Sequence, residues 1–226
     1  MDLLPWNKIN KFVDILPTKR KFYDKYLYKL VYDLRGAHIF SLYSKNFFSN
    51  NFHTNRLSES EREKIDVFVT VFRNKDLDLR WRSEGNSLSI FGQSEHELYE
   101  LASNKLLAYK SSLRSVTRVM NEQDLADLEA GHVIMSEKTA FPYKVTIRQG
   151  FRNTNDRHIL GNYLKSIRSE VKISDFLLQG MIHQNKYLHS CYFYVNDPKI
   201  VSMIALVAPN IIKRVQTVVV RKSKSE

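Results

Sequence analysis

The sequence predicts an α+β protein whose C-terminal half is a ferredoxin-like split βαβ unit, and three observations predict it. First, segments alternating with a period of two are interleaved with segments of helical period across residues 142–220, in the order βαβ(α)βαβ. Second, cap and stop residues fall at the junctions. Ser174 precedes one apolar run, Asn196-Asp197-Pro198 precedes another, and Pro209 ends it. Third, the N-terminal half closes on hairpin, helix and strand, so a diverged second α+β unit is expected there. The short strings Tyr28-Lys29-Leu30 and Tyr143-Lys144-Val145 open the two halves in the same way. The expected division is 1–120, a connector at 121–141 and 142–226.

Taken in order, residues 4–16 carry Trp6, Ile9, Phe12, Val13 and Leu16 and predict a short amphipathic helix ended by Pro17, a lid on the core. Only Lys8 and Lys11 lie within it, too few to anchor it on anionic lipid. Residues 28–34 alternate Tyr28, Leu30, Tyr32 and Leu34 against Lys29, Val31 and Asp33, a strand that Gly36 breaks and that 37–43 continues in bent form. Phe47, Phe48 and Phe52 then punctuate a polar loop beside Lys45, His53 and Arg56. Such aromatics either fold onto a core edge or stack on a base, and both readings stand. Residues 60–64 read as a charged helical turn, and 65–72, apolar on both faces, as a central buried strand.

Gly85-Asn86 joins 77–84 to 87–91 as a β-hairpin with Arg80 and Arg82 outward. Ser94-x-x-Glu97 is a capping box that opens a helix to about residue 110, and 116–119 return as a strand. The connector holds a short helix at 123–130, followed by Gly131.

In the C-terminal half, 143–149 set Val145 and Ile147 against Lys144, Thr146 and Arg148. A helix at 155–167 carries Ile159, Leu160, Tyr163, Leu164 and Ile167, a short strand follows at 171–173, and 175–182 form the apolar helix behind Ser174. Residues 188–195 are extended, with Cys191, Phe193 and Val195 opposite Ser190, Tyr192 and Tyr194. The helix from Pro198 ends at Ala208, and 215–220 are a β-branched strand. A split βαβ order puts its first and third strands side by side in the middle of the sheet. Lys144 and Arg148 then lie beside Tyr192 and Tyr194 on the face without helices.

Composition narrows the function. A formal charge of +11 and a pI near 9.6 favour a polyanionic partner, nucleic acid first. The excess is shared, with 20 Lys and Arg against 14 Asp and Glu in residues 1–120 and 15 against 10 in the rest, so neither half is a basic tail. Cys191 is the only cysteine, which excludes an intramolecular disulfide and a cysteine-based zinc site. The N-terminus lacks the pattern of a signal peptide, and the longest apolar run is too short to span a bilayer. The expected setting is the cytoplasm, with no membrane partner. Few Gly and Pro beside many Lys, Asn, Ile, Phe and Tyr fit the bias of AT-rich genomes, those of many bacteriophages among them.

These features predict a single-stranded DNA- or RNA-binding protein acting in replication, transcription or RNA handling. Its expected contacts are Lys144, Arg148, Arg152, Tyr192, Tyr194, Lys213, Arg214, Arg221 and Lys222 from the C-terminal half, with Phe47, Phe48, Arg80 and Arg82 from the N-terminal half. The architecture is similar to that of an RNA-recognition motif, which places aromatics on the same two central strands. The segment 188–195 lacks that family's glycine and preceding basic residue, so the likeness extends to architecture alone.

Two alternatives stand beside this reading. His183 and His189 converging across a loop would permit metal-independent cleavage of RNA. An aromatic face would equally serve an oligomerising protein. Asp76, Asp78 and Glu84 alternate with arginines, as a salt-bridged exposed face does. With no phosphate-binding glycine loop, dinucleotide fingerprint or nucleophile elbow, no cofactor, metal or catalytic residue is expected.

Overall fold

Each half of the chain builds its own five-stranded mixed sheet. The structure is a computed structural model that describes residues 4–37, 58–73, 77–148, 154–183, 188 and 191–221. It divides into two units, Met1–Ala126 and Asp127–Glu226. The α+β class holds in both.

In the N-terminal unit the strands are β1 (Asp14–Pro17), β2 (Tyr28–Asp33), β3 (Leu79–Glu84), β4 (Ser87–Gly92) and β5 (Leu113–Arg118), in the order β1-β5-β2-β4-β3. β1 runs parallel to β5 and every other neighbouring pair is antiparallel. The hairpin forms as the sequence predicts, with Glu84 opposite Ser87 and Gly85 at a φ of +57°. A positive φ at the first of two loop residues gives a turn whose twist matches the flanking strands, and glycine adopts it without a steric penalty. β2 alternates buried and half-buried residues along its whole length, as its sequence implies.

Two elements of this unit differ from expectation. The segment read as a buried strand lies within a helix, α2 (Glu59–Arg73), after a one-turn helix α1 (Trp6–Ile9) at the start of the chain. Ser58 and Glu61 close a capping box. The Glu61 backbone N–H donates to Ser58 Oγ at 3.3 Å, and the Ser58 N–H donates to Glu61 Oε2 at 2.8 Å. Ile65, Phe68, Val69 and Phe72 then share one inward face, where Phe68 meets Tyr32 edge-on at 5.2 Å and Phe72 stacks on Trp81 at the same distance. The small helical penalty of β-branched residues is outweighed by this packing.

The predicted helix over 4–16 is confined to α1. Asn10 turns extended and donates through Nδ2 to the Leu113 carbonyl at 2.8 Å, which steers the chain into β1 beside β5. Pro17 therefore ends an edge strand, where a missing N–H is tolerated, and not a helix. Ser94 caps its helix as expected, its Oγ accepting from the Glu97 N–H at 3.3 Å. The helix it opens changes character along its length, from α3 (Glu95–Glu100) to a π turn (Leu101–Lys105) and a 3₁₀ segment (Leu107–Ser112).

α4 (Glu122–Glu129) leads into the C-terminal unit. Its strands are β6 (Val133–Met135), β7 (Tyr143–Ile147), β8 (Val171–Lys172), β9 (Tyr192–Val195) and β10 (Ile212–Val220), in the order β6-β10-β7-β9-β8. The helices are α5 (Thr154–Ser166), α6 (Asp175–Ile182) and α7 (Pro198–Val207). Ser174 Oγ accepts from the Leu177 N–H at 3.3 Å, and Asp197 Oδ1 accepts from the Lys199 N–H at 2.7 Å, so both sequence-predicted caps form. Val145, Ile147, Phe193 and Val195 bury against Leu160, Leu164, Leu177, Met181, Ile200 and Ile204, and Cys191 packs at the margin of that core. The sheet differs from the expected four strands at one edge. Residues of the connector form β6, which lies outside β10 and parallel to it. Pairing sense and order are the same in the two units, strand for strand.

Candidate nucleic-acid interface

The candidate face is built from the outward positions of β7, β9 and their neighbours. Alternation sends Val145 and Phe193 into the core and leaves Lys144, Thr146, Tyr192 and Tyr194 on the other side. Register then sets the rows. Lys172, Tyr194, Lys144 and Gln216 lie side by side on β8, β9, β7 and β10, and Tyr192, Thr146 and Arg214 form the adjacent row.

The rings of Tyr192 and Tyr194 meet edge-on, with centroids 5.8 Å apart and planes at 85°. Tyr192 is 40% exposed and Tyr194 is half-buried. Lys144 differs from a surface cation, being only 4% exposed with its Nζ 4.4 Å from the Tyr192 centroid. The negative face of the ring compensates part of the charge that water would otherwise solvate. Lys172 is the exposed cation of its row.

Arg148 lies exposed just past β7, with its backbone N–H on the Ile211 carbonyl at 2.9 Å. The pairing of β10 with β7 shifts between Ile212 and Arg214, which leaves Lys213 as the exposed extra residue of a bulge while Arg214 returns opposite Thr146. Arg221 lies just past β10. It is ion-paired with Asp127 of α4, whose Oδ1 is also 3.4 Å from His132 Nδ1. Gln216, 7% exposed, donates through Nε2 to the Gly131 carbonyl at 2.8 Å and ties β10 to the turn before β6.

Of the other expected contacts, Arg80 and Arg82 lie on β3 of the N-terminal unit. Arg80 covers the Tyr23 ring at 3.7 Å, and Arg82 is ion-paired with Glu84. Arg152, Lys222, Phe47 and Phe48 fall outside the described residues, as does His189, while His183 is exposed at the end of α6. The structure thus gathers Lys144, Tyr192, Tyr194 and Arg214 on one face, with Arg148 and Lys213 at one end of its central strands. Lys172 joins the face through register, which only the pairing of β8 with β9 reveals.

Among the described residues, no group of three or more His, Cys, Asp or Glu side chains is placed to hold a metal ion. No described helix is long and apolar enough to cross a membrane. No protein-family model, curated protein or solved structure matches the chain.

Proposed function

We propose that the protein binds single-stranded nucleic acid across the face of the C-terminal sheet that carries Tyr192 and Tyr194. The observation that carries this reading is the edge-on pair of the exposed Tyr192 and the half-buried Tyr194 on one strand, with Lys144 under the first ring and Lys172 beside the second. Unpaired bases stack on tyrosine whatever their identity, and the flanking Arg148, Lys213 and Arg214 neutralise phosphates. The ligand is single-stranded because a base must leave its partner to offer a ring face. Supporting this reading is a fold assignment of our own, that each unit is a ferredoxin-like βαββαβ with one leading strand added and, in the C-terminal unit, α6 inserted between β8 and β9. In each unit the last four strands in sequence are ordered fourth, first, third, second. Replication, transcription and RNA handling are the processes that use such a surface.

Fluorescence anisotropy with labelled single strands of DNA and RNA, and with duplex, tests the proposal. Binding should favour single strands and weaken with salt by a log–log slope of about −0.7 per phosphate neutralised. Tyr192→Ala with Tyr194→Ala should lose about 1–3 kcal/mol per stacked base, roughly a five- to 150-fold rise in Kd for one base. Unchanged affinity in a double variant with the wild-type circular dichroism spectrum would remove the face from the binding site.

A further inference from the structure

The turn between β1 and β2 is more than a cover for the core. Its sequence, Thr18-Lys19-Arg20-Lys21-Phe22-Tyr23-Asp24-Lys25, holds four cations and two aromatic residues. Both ends are pinned. The Thr18 N–H donates to the Arg118 carbonyl and Thr18 Oγ1 donates to the Leu27 carbonyl, each at 2.7 Å, while Phe22 and Tyr26 exchange backbone hydrogen bonds of 2.8 and 2.9 Å. Tyr23 and Asp24 are successive residues in the left-handed region, at φ of +53° and +64°. Side chains with a Cβ rarely hold that conformation, and such strain collects at ligand sites.

The turn lies on the helix-free face of the N-terminal sheet. Phe22 and Tyr23 both rest on Phe91, at 5.3 and 5.0 Å, and Lys29 Nζ is 5.4 Å from the Phe22 centroid. Lys29 of β2 pairs with Phe91 of β4 as Lys144 of β7 pairs with Tyr194 of β9, the same positions in the same strand order. What this face offers to solvent is different. Tyr23 remains 39% exposed, the Arg80 guanidinium lies 3.7 Å from its centroid, and Lys19 and Arg20 are exposed beside it in the chain. The nearby acids are largely engaged. Asp78 accepts from Lys25 Nζ at 2.6 Å and from the Tyr26 hydroxyl at 3.4 Å, and Glu84 is held by Arg82. Among the described residues, no carboxylate forms an ion pair with Lys19, Arg20 or Arg80.

We infer that this turn is a second contact for the same single-stranded nucleic acid. Tyr23 and Arg80 take a base, and Lys19 and Arg20 take its flanking phosphates. The inference rests on the reading of the C-terminal face, and the chemistry it requires is a polyanion bearing planar rings.

The test uses the full chain and labelled oligothymidylate. Lys19→Ala with Arg20→Ala should reduce the magnitude of the salt slope by about 1.4, the share of two phosphates. Tyr23→Asn keeps a residue that tolerates the left-handed turn and should raise Kd at least about fivefold. Ultraviolet cross-linking followed by peptide mapping should place thymine on the 19–25 peptide as well as on that containing Tyr192. If Tyr192→Ala with Tyr194→Ala weakens binding but the turn variants and the cross-links are silent at 19–25, the second contact is refuted and the C-terminal reading stands. Loss in the turn variants alone would remove the tyrosine face and leave the turn as the binding site. A wild-type chain that binds no oligothymidylate would overturn both.

Discussion

Arg118→Met should destabilise the N-terminal unit in a pH-dependent way. Arg118 at the end of β5 and Glu95 at the start of α3 are 3% and 8% exposed, with Nη2 3.1 Å from Oε2. Trp6 donates its indole N–H to Glu95 Oε1 at 2.8 Å, and Arg118 Nη1 donates to the Leu4 carbonyl at 3.2 Å. Burial raises the Glu95 pKa, against the Trp6 hydrogen bond and the Arg118 charge, which both lower it. Removing the guanidinium leaves a buried carboxylate with one donor, a change that costs about 3–5 kcal/mol when the charge must stay.

Protonation of Glu95 is the escape, and it sets a ceiling. From an ordinary glutamate value near 4.3, taking up a proton at pH 7 costs about 3.7 kcal/mol. Because the folded pKa lies above the unfolded one, the associated stability is present below the unfolded value and is lost as pH rises through the folded value. Losing Arg118 raises the folded value further. The charge-dependent part of the cost should therefore be near zero at about pH 4 and reach roughly 3 kcal/mol by pH 7. Both tryptophans, Trp6 and Trp81, belong to this unit, so urea titration by tryptophan fluorescence follows it. Glu95→Gln added to Arg118→Met should recover most of the loss at neutral pH, since the amide oxygen still accepts from Trp6. Equal destabilisation at both pH values would refute the argument.

Two further perturbations probe the frame of the C-terminal unit. Gly161→Ala sets a Cβ 2.9 Å from Ile182 Cγ1 and 3.1 Å from its backbone N, so α5 and α6 must part, at a cost of about 1–3 kcal/mol in thermal or urea unfolding followed by circular dichroism. Ser174→Ala removes the acceptor for the Leu177 N–H and should cost about 1 kcal/mol in the same assay, with Ser174→Asp retaining most of it.

What the sequence determined by itself was whatever a segment's own backbone and near neighbours decide. The alternation in β2, the Gly85-Asn86 hairpin, the caps at Ser94, Ser174 and Asp197, and the division of β7 and β9 into a core side and a Lys- and Tyr-bearing side are all local properties. Tertiary structure decided the elements whose residues fit two periods or none. Ile65, Val67, Val69 and Val71 satisfy a strand, while Ile65, Phe68, Val69 and Phe72 satisfy a helix. The choice fell to Tyr32 and Trp81, which pack against the helical face. β1 and β6 are three or four residues long and exist as strands because β5 and β10, about 100 and 85 positions away, present open edges to them.

The candidate site divides in the same way. Its residue types were legible, since basic residues and tyrosines share one side of alternating strands. The burial of Lys144 beneath Tyr192, the pairing of Arg221 with Asp127 and the folding of Tyr23 onto Phe91 were not. Each depends on a partner dozens of residues distant, or on a side-chain direction that local pattern leaves free, and only the closed sheet fixes those distances.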